Sequence, residues 1–141
     1  DNCKASTEIA INEMMDTWHK AAATADEDVF FGSMTEDCIY IGTDKSERWL
    51  RDELKAWSAE FFDREKAWEL KAIERAVYMS DDGKLDWFDE TLDNWMGVCR
   101  SSGVVKLVDG EWKLKHYHLS VTLPNDAVKK FIKLLEKYED K

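Results

Sequence analysis

The sequence lacks the features that mark a linker, a membrane span or a metal site. Its single proline, Pro124, and its six scattered glycines indicate neither a linker nor a repeat, and no apolar run approaches the roughly 18 residues of a transmembrane helix. Cys3, Cys38 and Cys99 form no CxxC pair or Cys/His cluster, so we expect no zinc site, no other metal and no cofactor. We interpret Cys38 and Cys99 as small strand residues, and one disulfide is left open. One domain over residues 1–141 is the expectation.

Positive charge is also scarce. The chain has 20 Lys and Arg against 30 Asp and Glu, and its formal net charge is −10. Such a balance repels phosphate backbones and anionic membrane surfaces, so we expect neither nucleic acid nor a membrane as a partner. The sequence begins with Asp rather than Met, which leaves the compartment open between the cytoplasm and export to the periplasm after removal of a leader.

The first half of the chain has mainly helical periodicity. Ser6-Thr7-Glu8 supplies cap-type residues, and the apolar spacing that follows predicts a helix ending near Ala23. Residues 26–34 predict a second, short helix with an acidic first turn. The β-favouring run 38–41 predicts a strand, and helical spacing returns over residues 49–62.

The second half predicts four strands and a final helix. The strands are expected at 68–79, 85–93, 96–108 and 111–123, with the Asp109-Gly110 turn joining the last two. From Asn125, which we take as the N-cap, apolar residues again follow helical spacing. Helices followed by an antiparallel sheet predict an α+β fold in which helices pack on one face of a curved sheet and enclose a cavity suited to a small ligand.

Several local strings carry a resemblance to a known family. In chain order they are Gly42-Thr43-Asp44, Glu47-Arg48-Trp49, Trp87-Phe88-Asp89-Glu90, Arg100-Ser101-Ser102-Gly103-Val104, Trp112 to Ser120 and Pro124-Asn125. From about residue 18 to 125 the chain resembles the SnoaL-like group of the nuclear transport factor 2-like superfamily, which is similar to ketosteroid isomerases. The resemblance implies a cone-shaped α+β barrel, with a strongly curved mixed or antiparallel sheet and N-terminal helices on its concave face. It implies a homodimer and a pocket, but no particular reaction.

Alternation along the last strand suggests which of its side chains face the pocket. Trp112, Leu114, His116, His118 and Ser120 share one face, which we take as the inner one, and Tyr117, Leu119 and Val121 share the other, a candidate dimer surface. The two histidines are interpreted as a general base or hydrogen-bond donors, as a structural pair, or as half of a metal site.

The strand at 85–93 offers a choice between neighbouring carboxylates. Asp89 and Glu90 point to opposite faces, and strand parity does not decide which is internal. Asp89 is the candidate base, because a carboxylate among apolar groups acquires a raised pKa. Arg100 is expected to form a structural ion pair with Glu90.

These residues lead to three functional hypotheses. The first is a small-molecule binding domain; the second is an isomerase or cyclase that uses a pocket Asp or His as general base on a carbonyl compound; the third is a non-catalytic dimerisation domain. Asp89 and His118 are the catalytic candidates. The ligand-binding candidates are Tyr40, Trp49, Trp57, Trp87, Arg100, His116 and Ser120.

Overall fold

A computed structural model describes residues 2–63 and 68–139 of the chain. Its helices and strands follow the order helix, helix, strand, strand, helix, four strands and a final helix. They are α1 (Asn2–Ala23), α2 (Glu27–Gly32), β1 (Met34–Ile41), β2 (Arg48–Leu50), α3 (Arg51–Phe62), β3 (Lys71–Tyr78), β4 (Leu85–Asn94), β5 (Gly97–Val108), β6 (Glu111–Val121), a 3₁₀ turn (Asn125–Ala127) and α4 (Val128–Leu135).

The six strands form one curved, open sheet in the order β2-β1-β6-β5-β4-β3. Only β1 and β6 pair in parallel, and every other neighbouring pair is antiparallel. Helix α1 contacts β3 and β6, while α3 contacts β1 and β2, so the helices lie against one face. The predicted α+β architecture, with helices on the concave face of a mixed sheet, is therefore confirmed.

Aromatic side chains form much of the core between α1 and the sheet. Trp18 of α1 is fully buried, stacks on Phe30 with ring centroids 4.7 Å apart and meets the Tyr117 ring edge at 4.7 Å. Met15 and Ile11, which lie one and two turns earlier, are also fully buried. Each such side chain contributes about 1.5–3 kcal/mol of transfer free energy. The helical spacing of the sequence thus identifies the buried face of α1.

The structure differs from the sequence prediction around the first strands. The second helix ends at Gly32, and β1 begins already at Met34. Residues 48–50, assigned in part to the following helix, form β2 instead and pair with residues 39–41. A three-residue strand has almost no local signal, because pairing with a distant segment creates it. Glu53 then accepts a hydrogen bond from the Leu50 amide at 3.0 Å and thereby starts α3.

A β-bulge in β6 reverses the predicted faces of that strand. Val104 pairs with His116 and Val105 with Leu114, so Lys115 is an extra residue. Side-chain parity therefore changes: Leu114 and Tyr117 are both buried. Leu119 is also buried, whereas His116, His118 and Ser120 lie on the outer face of the sheet. The prediction that the histidines and Ser120 face inward is wrong, and so is the outward assignment of Tyr117 and Leu119.

Other local predictions have mixed outcomes. The hairpin turn Asp109-Gly110 is confirmed, with both residues in the left-handed region at φ 50° and 82°. Cys38 and Cys99 are buried strand residues with free thiols, as expected. Asn125 is not an N-cap; it is the first residue of the 3₁₀ turn, which Pro124 precedes without a side-chain cap. Within residues 2–63 and 68–139, no helix is both long enough and apolar enough to cross a membrane.

Helix α4 follows the sheet but does not join its core. None of its side chains is buried, and Phe131 and Ile132 are 41% and 53% exposed. Its closest packing is with the 3₁₀ turn that precedes it. The predicted final helix is thus present, with its apolar face uncovered.

Candidate functional site

A cavity of about 230 Å³ opens between α3, β1 and the turn that joins β4 to β5. Its size is slightly below the roughly 300 Å³ at which pockets for drug-sized ligands begin. Apolar side chains dominate the lining, namely Tyr40, Leu54, Trp57, Trp68, Leu70 and Leu119. Trp95 and Met96 of the β4–β5 turn complete it on one side.

The aromatic lining is held in place by neighbouring rings. Tyr40 of β1 stacks on Tyr117 of β6, with centroids 5.6 Å apart. Trp57 of α3 stacks on Trp49 of β2 at 5.3 Å. Trp68 meets Phe30 edge-on at 5.4 Å. Because these contacts restrict the rings before any ligand arrives, the cavity is largely preformed.

The remaining lining is mainly polar, and the charged residues in the part of it that the structure describes are both acidic. Glu47 and the exposed Glu69 are its acidic residues, while Thr43 and Asn94 are neutral. Gly42 lets Glu47 approach, since a Cβ at that position would lie only 2.9 Å from the Glu47 Oε2. Burial, reinforced by the charge of Glu47, raises the pKa of Tyr40 well above its usual value. Tyr40 therefore stays a neutral phenol.

A second polar group, centred on Glu90, is buried between α1 and the sheet. Its Oε2 accepts hydrogen bonds from His19 Nε2 and Ser101 Oγ, each at 2.8 Å, and from Tyr117 Oη at 3.1 Å. Its Oε1 accepts one from Arg75 Nε at 2.8 Å. Strand register produces this cluster, because Arg75 and Ser101 are the direct neighbours of Glu90 on β3 and β5.

Glu90 is held as a carboxylate. Burial raises its pKa, but hydrogen bonds and charges from His19 and Arg75 outweigh burial and lower the pKa to about 2. Arg75 Nη1 also donates to Asp16 Oδ1 at 2.9 Å, so the carboxylates of Glu90 and Asp16 both compensate the positive charge of Arg75. A carboxylate with so low a pKa is a poor proton acceptor near neutral pH. The Glu90 cluster therefore suits structural support better than proton transfer.

The structure separates the predicted site residues into two groups. Tyr40 and Trp57 line the cavity. Trp49 is not a lining residue, but its ring stacks on that of Trp57. The others lie on the outer face of the sheet, opposite the helices; they are Trp87, Asp89, Arg100, His116, His118 and Ser120.

On the outer face, the two catalytic candidates share one cross-strand row. Asp89 pairs with Ser102, which pairs with His118, so two strand spacings, about 10 Å, separate Asp89 from His118. Asp89 accepts a hydrogen bond from the Tyr78 hydroxyl at 2.8 Å. The choice that strand parity left open falls on Glu90, because β4 turns Phe88 and Glu90 inward and Trp87 and Asp89 outward, so the candidate base Asp89 lies outside the cavity.

The predicted ion pair between Arg100 and Glu90 is also wrong. Arg100 pairs with Thr91 and is exposed on the outer face, whereas Glu90 points inward. Arg75 takes its place, since the register of β3 sets it opposite Glu90 on the inner side. The kind of interaction was predicted correctly and its partner was not.

Sequence reasoning missed several functional or structural groups. His19 lies four residues after the buried Met15, a helical spacing that could have identified it. Arg75 and Ser101 gave no such signal, because only the pairing of strands brings them to Glu90. Glu47, Asn94 and Trp95 lie in or beside turns, where periodicity carries no information. In the described parts of the chain, no three His, Cys, Asp or Glu residues are grouped to hold a metal ion.

A known protein family matches most of the chain. The profile of the SnoaL-like domain matches residues 11–124, a span that includes the sheet, the cavity and the Glu90 cluster. No curated protein matches the chain significantly.

Solved structures with similar folds include proteins of diverse descriptions. An NTF2-like protein of unknown function from Pseudomonas putida has a TM-score of 0.70 and 13% identity, covering 87% of this chain and 92% of its own. A protein provisionally named a ketosteroid isomerase, from Parabacteroides distasonis, has a TM-score of 0.63 and 18% identity over 81% of this chain and 86% of its own. An NTF2-like protein of unknown function from Shewanella oneidensis has a TM-score of 0.63 and 19% identity over 80% and 98%. At such identities the likeness shows the fold alone.

Proposed function

The chain belongs to the SnoaL-like domain family, and from that premise we propose that it is a small-molecule binding domain whose ligand occupies the aromatic cavity beside α3. The observation that carries the proposal is the lining itself. Rings from β1 and α3 stack on other rings, and a few polar residues complete the lining. Preformed apolar cavities with a few placed polar groups are the usual form of small-molecule sites.

Binding is favoured over catalysis by the chemistry around the cavity. A proton-transfer enzyme needs an acid or base poised near neutral pH. The catalytic candidates Asp89 and His118 lie on the outer face of the sheet, and the pKa of the buried Glu90 is lowered to about 2. The isomerase or cyclase hypothesis calls for a pocket Asp or His, and neither is among the described residues that line the cavity.

The proposal is tested by blocking the mouth of the cavity without disturbing the core. Thr43 lines the cavity and is exposed, so Thr43→Trp should fill it while the sheet remains intact. Ligand-observed NMR with a library of small fragments should detect several binders to the native chain. Those fragments should lose their saturation-transfer signal with the Thr43→Trp variant.

Lys45→Trp is the matched control, since Lys45 lies in the same loop, is exposed and is not part of the lining. Fragments should bind this variant as they bind the native chain. The proposal is refuted if no fragment binds the native chain, or if binding survives Thr43→Trp unchanged.

We also propose that the outer face of the sheet mediates a homodimer. This face exposes Trp87, which is 46% accessible, stacked on Tyr78 at 6.2 Å. Leu85 lies near them and is also exposed. Exposed aromatic and aliphatic side chains on one face favour a partner, and a two-fold axis lets the same patch cover itself.

A further inference from the structure

The charged residues among the described residues that line the cavity are all acidic. Glu47 and Glu69 are both lining residues, and no lysine, arginine or histidine is among the described residues that form the wall. The whole chain has a formal net charge of −10. The acidic lining residues attract cations and repel anions at short range, and the net charge of the chain does so at long range.

Aromatic rings supply a second, independent preference for positive charge. Tyr40, Trp57, Trp68 and Trp95 all border the cavity. The face of an aromatic ring is electron-rich, and groups of tryptophan and tyrosine rings are the usual means by which proteins bind ammonium groups. Trp95 is 88% exposed, so one of these rings stands at the rim, where an entering ligand would meet it first.

A third observation concerns Asn94, at the end of β4. Its Oδ1 accepts a hydrogen bond from the Met96 amide at 2.7 Å, which fixes the orientation of the side chain. Its Nδ2 is buried and has no acceptor. A buried donor without a partner is costly. Asn94 belongs to the lining, and an oxygen atom of a ligand would satisfy Nδ2 once binding displaces the groups that now cover this atom.

From these three features we infer that the cavity binds a small organic cation, a quaternary ammonium or protonated amine, that also carries an uncharged oxygen acceptor. The inference rests on the proposed function, because it names the ligand class of the same cavity. The ammonium group would contact the rings and the carboxylates of Glu47 and Glu69. The oxygen, in a hydroxyl, ether or carbonyl group, would accept from Asn94 Nδ2.

Size restricts the ligand further. With a volume of about 230 Å³, the cavity accommodates a molecule of few heavy atoms rather than a fused-ring compound such as a steroid. Choline has the required features, namely a quaternary ammonium group and one hydroxyl. It serves here as a probe, and 3,3-dimethylbutan-1-ol is its uncharged counterpart of nearly the same shape.

The test compares choline with 3,3-dimethylbutan-1-ol by titration calorimetry on the full chain. Choline should bind at least about tenfold more tightly, because only choline gains the ring and carboxylate interactions. Added salt should weaken choline and leave the alcohol unaffected. Glu47→Gln, which keeps an acceptor for the Asp44 amide, should lower the choline affinity several-fold.

Glu60→Gln is the matched control, since Glu60 is exposed on α3 and does not line the cavity. It removes the same charge from the chain and should leave the affinity for choline nearly unchanged. An equal loss in both variants would show that net charge, rather than the cavity, attracts the cation, and would overturn the inference.

The remaining outcomes separate this inference from the proposed function. If choline and the alcohol bind equally well, the cavity binds ligands without charge selectivity, so the cation inference fails and the binding function stands. The same holds if neither probe binds while fragments still bind in a manner that Thr43→Trp abolishes. If neither probe nor any fragment binds, both proposals fail.

Discussion

Glu90 shows how much a single buried charge depends on its neighbours. Its side chain is inaccessible to solvent, a position that would strongly destabilise an isolated carboxylate. His19, Arg75, Ser101 and Tyr117 surround it with donors, and they come from α1, β3, β5 and β6. With Glu90 itself on β4, the cluster therefore joins the helix to four strands, and it specifies their relative positions as well as satisfying the charge.

The stability of the fold should depend on pH through this residue. The native pKa of Glu90 is about 2, below its ordinary value of 4.5. Between those values the unfolded chain binds a proton that the native state does not, so the free energy of unfolding should fall as pH is lowered through this window. The contribution is on the order of 3 kcal/mol, fully present above about pH 5. Urea denaturation between pH 7 and the acid range measures it.

Glu90→Gln should remove much of this slope and should lower stability at pH 7 by about 3 kcal/mol, because it leaves the buried Arg75 with less compensation. Asp89→Asn is the control: this neighbour lies on the outer face and should change stability by less than about 1 kcal/mol. Native and Glu90→Gln profiles that run parallel down to pH 3 would contradict the assignment.

At the scale of elements, β4, β5 and β6 approach one another closely at Gly103. A Cβ at this position would lie 2.5 Å from the His116 carbonyl oxygen and 2.7 Å from the Phe88 ring. Only glycine fits without displacement of backbone. The close approach lies beside the bulge at Lys115, where the pairing of β5 and β6 shifts.

Gly103→Ala should therefore destabilise the fold by at least about 2 kcal/mol, because the added methyl group meets backbone and a buried ring that cannot move freely. Gly32→Ala is the matched control. Gly32 ends α2, and a Cβ there would meet nothing within 4 Å, so this change should be neutral or slightly stabilising. Thermal unfolding of both variants measures the difference, and equal melting temperatures would contradict the packing argument.

The elements also show what sequence periodicity could and could not predict. Regular spacing identified α1, the β5–β6 hairpin and the order of the major elements, because these depend on local patterns. It failed at β2 and at the β6 bulge, because both are created by pairing between distant segments. One extra residue, Lys115, was enough to move His116 and His118 from the predicted inner face to the outer one. The cavity was anticipated, but of its lining only Tyr40 and Trp57 were named as ligand-binding candidates.

At the scale of the whole molecule, one side of the sheet is covered by helices and the other is not. The uncovered side presents the Tyr78–Trp87 stack among polar residues. Sheets with apolar residues on both faces ordinarily have both faces covered. In the proposed homodimer, the second copy of the chain would cover this exposed face of the sheet.

Trp87→Glu should convert the dimer to a monomer, because a carboxylate on each side of a two-fold interface meets its own copy. Sedimentation velocity at micromolar concentration measures the change. Trp95→Glu is the control, since Trp95 is the most exposed tryptophan and lies at the cavity rim rather than on the outer face. A native chain that sediments as a monomer, or a Trp95→Glu variant that dissociates equally, would refute this interface.

Helix α4 should unwind independently of the rest of the molecule. Because it buries none of its side chains, unwinding it exposes little additional apolar surface, and its helix–coil equilibrium depends on its own sequence. Its amide hydrogens should therefore exchange with solvent through local opening that is insensitive to denaturant. Those in the middle of β5 should exchange only when the sheet itself unfolds. A substitution that strengthens the core would thus leave this helix as labile as before.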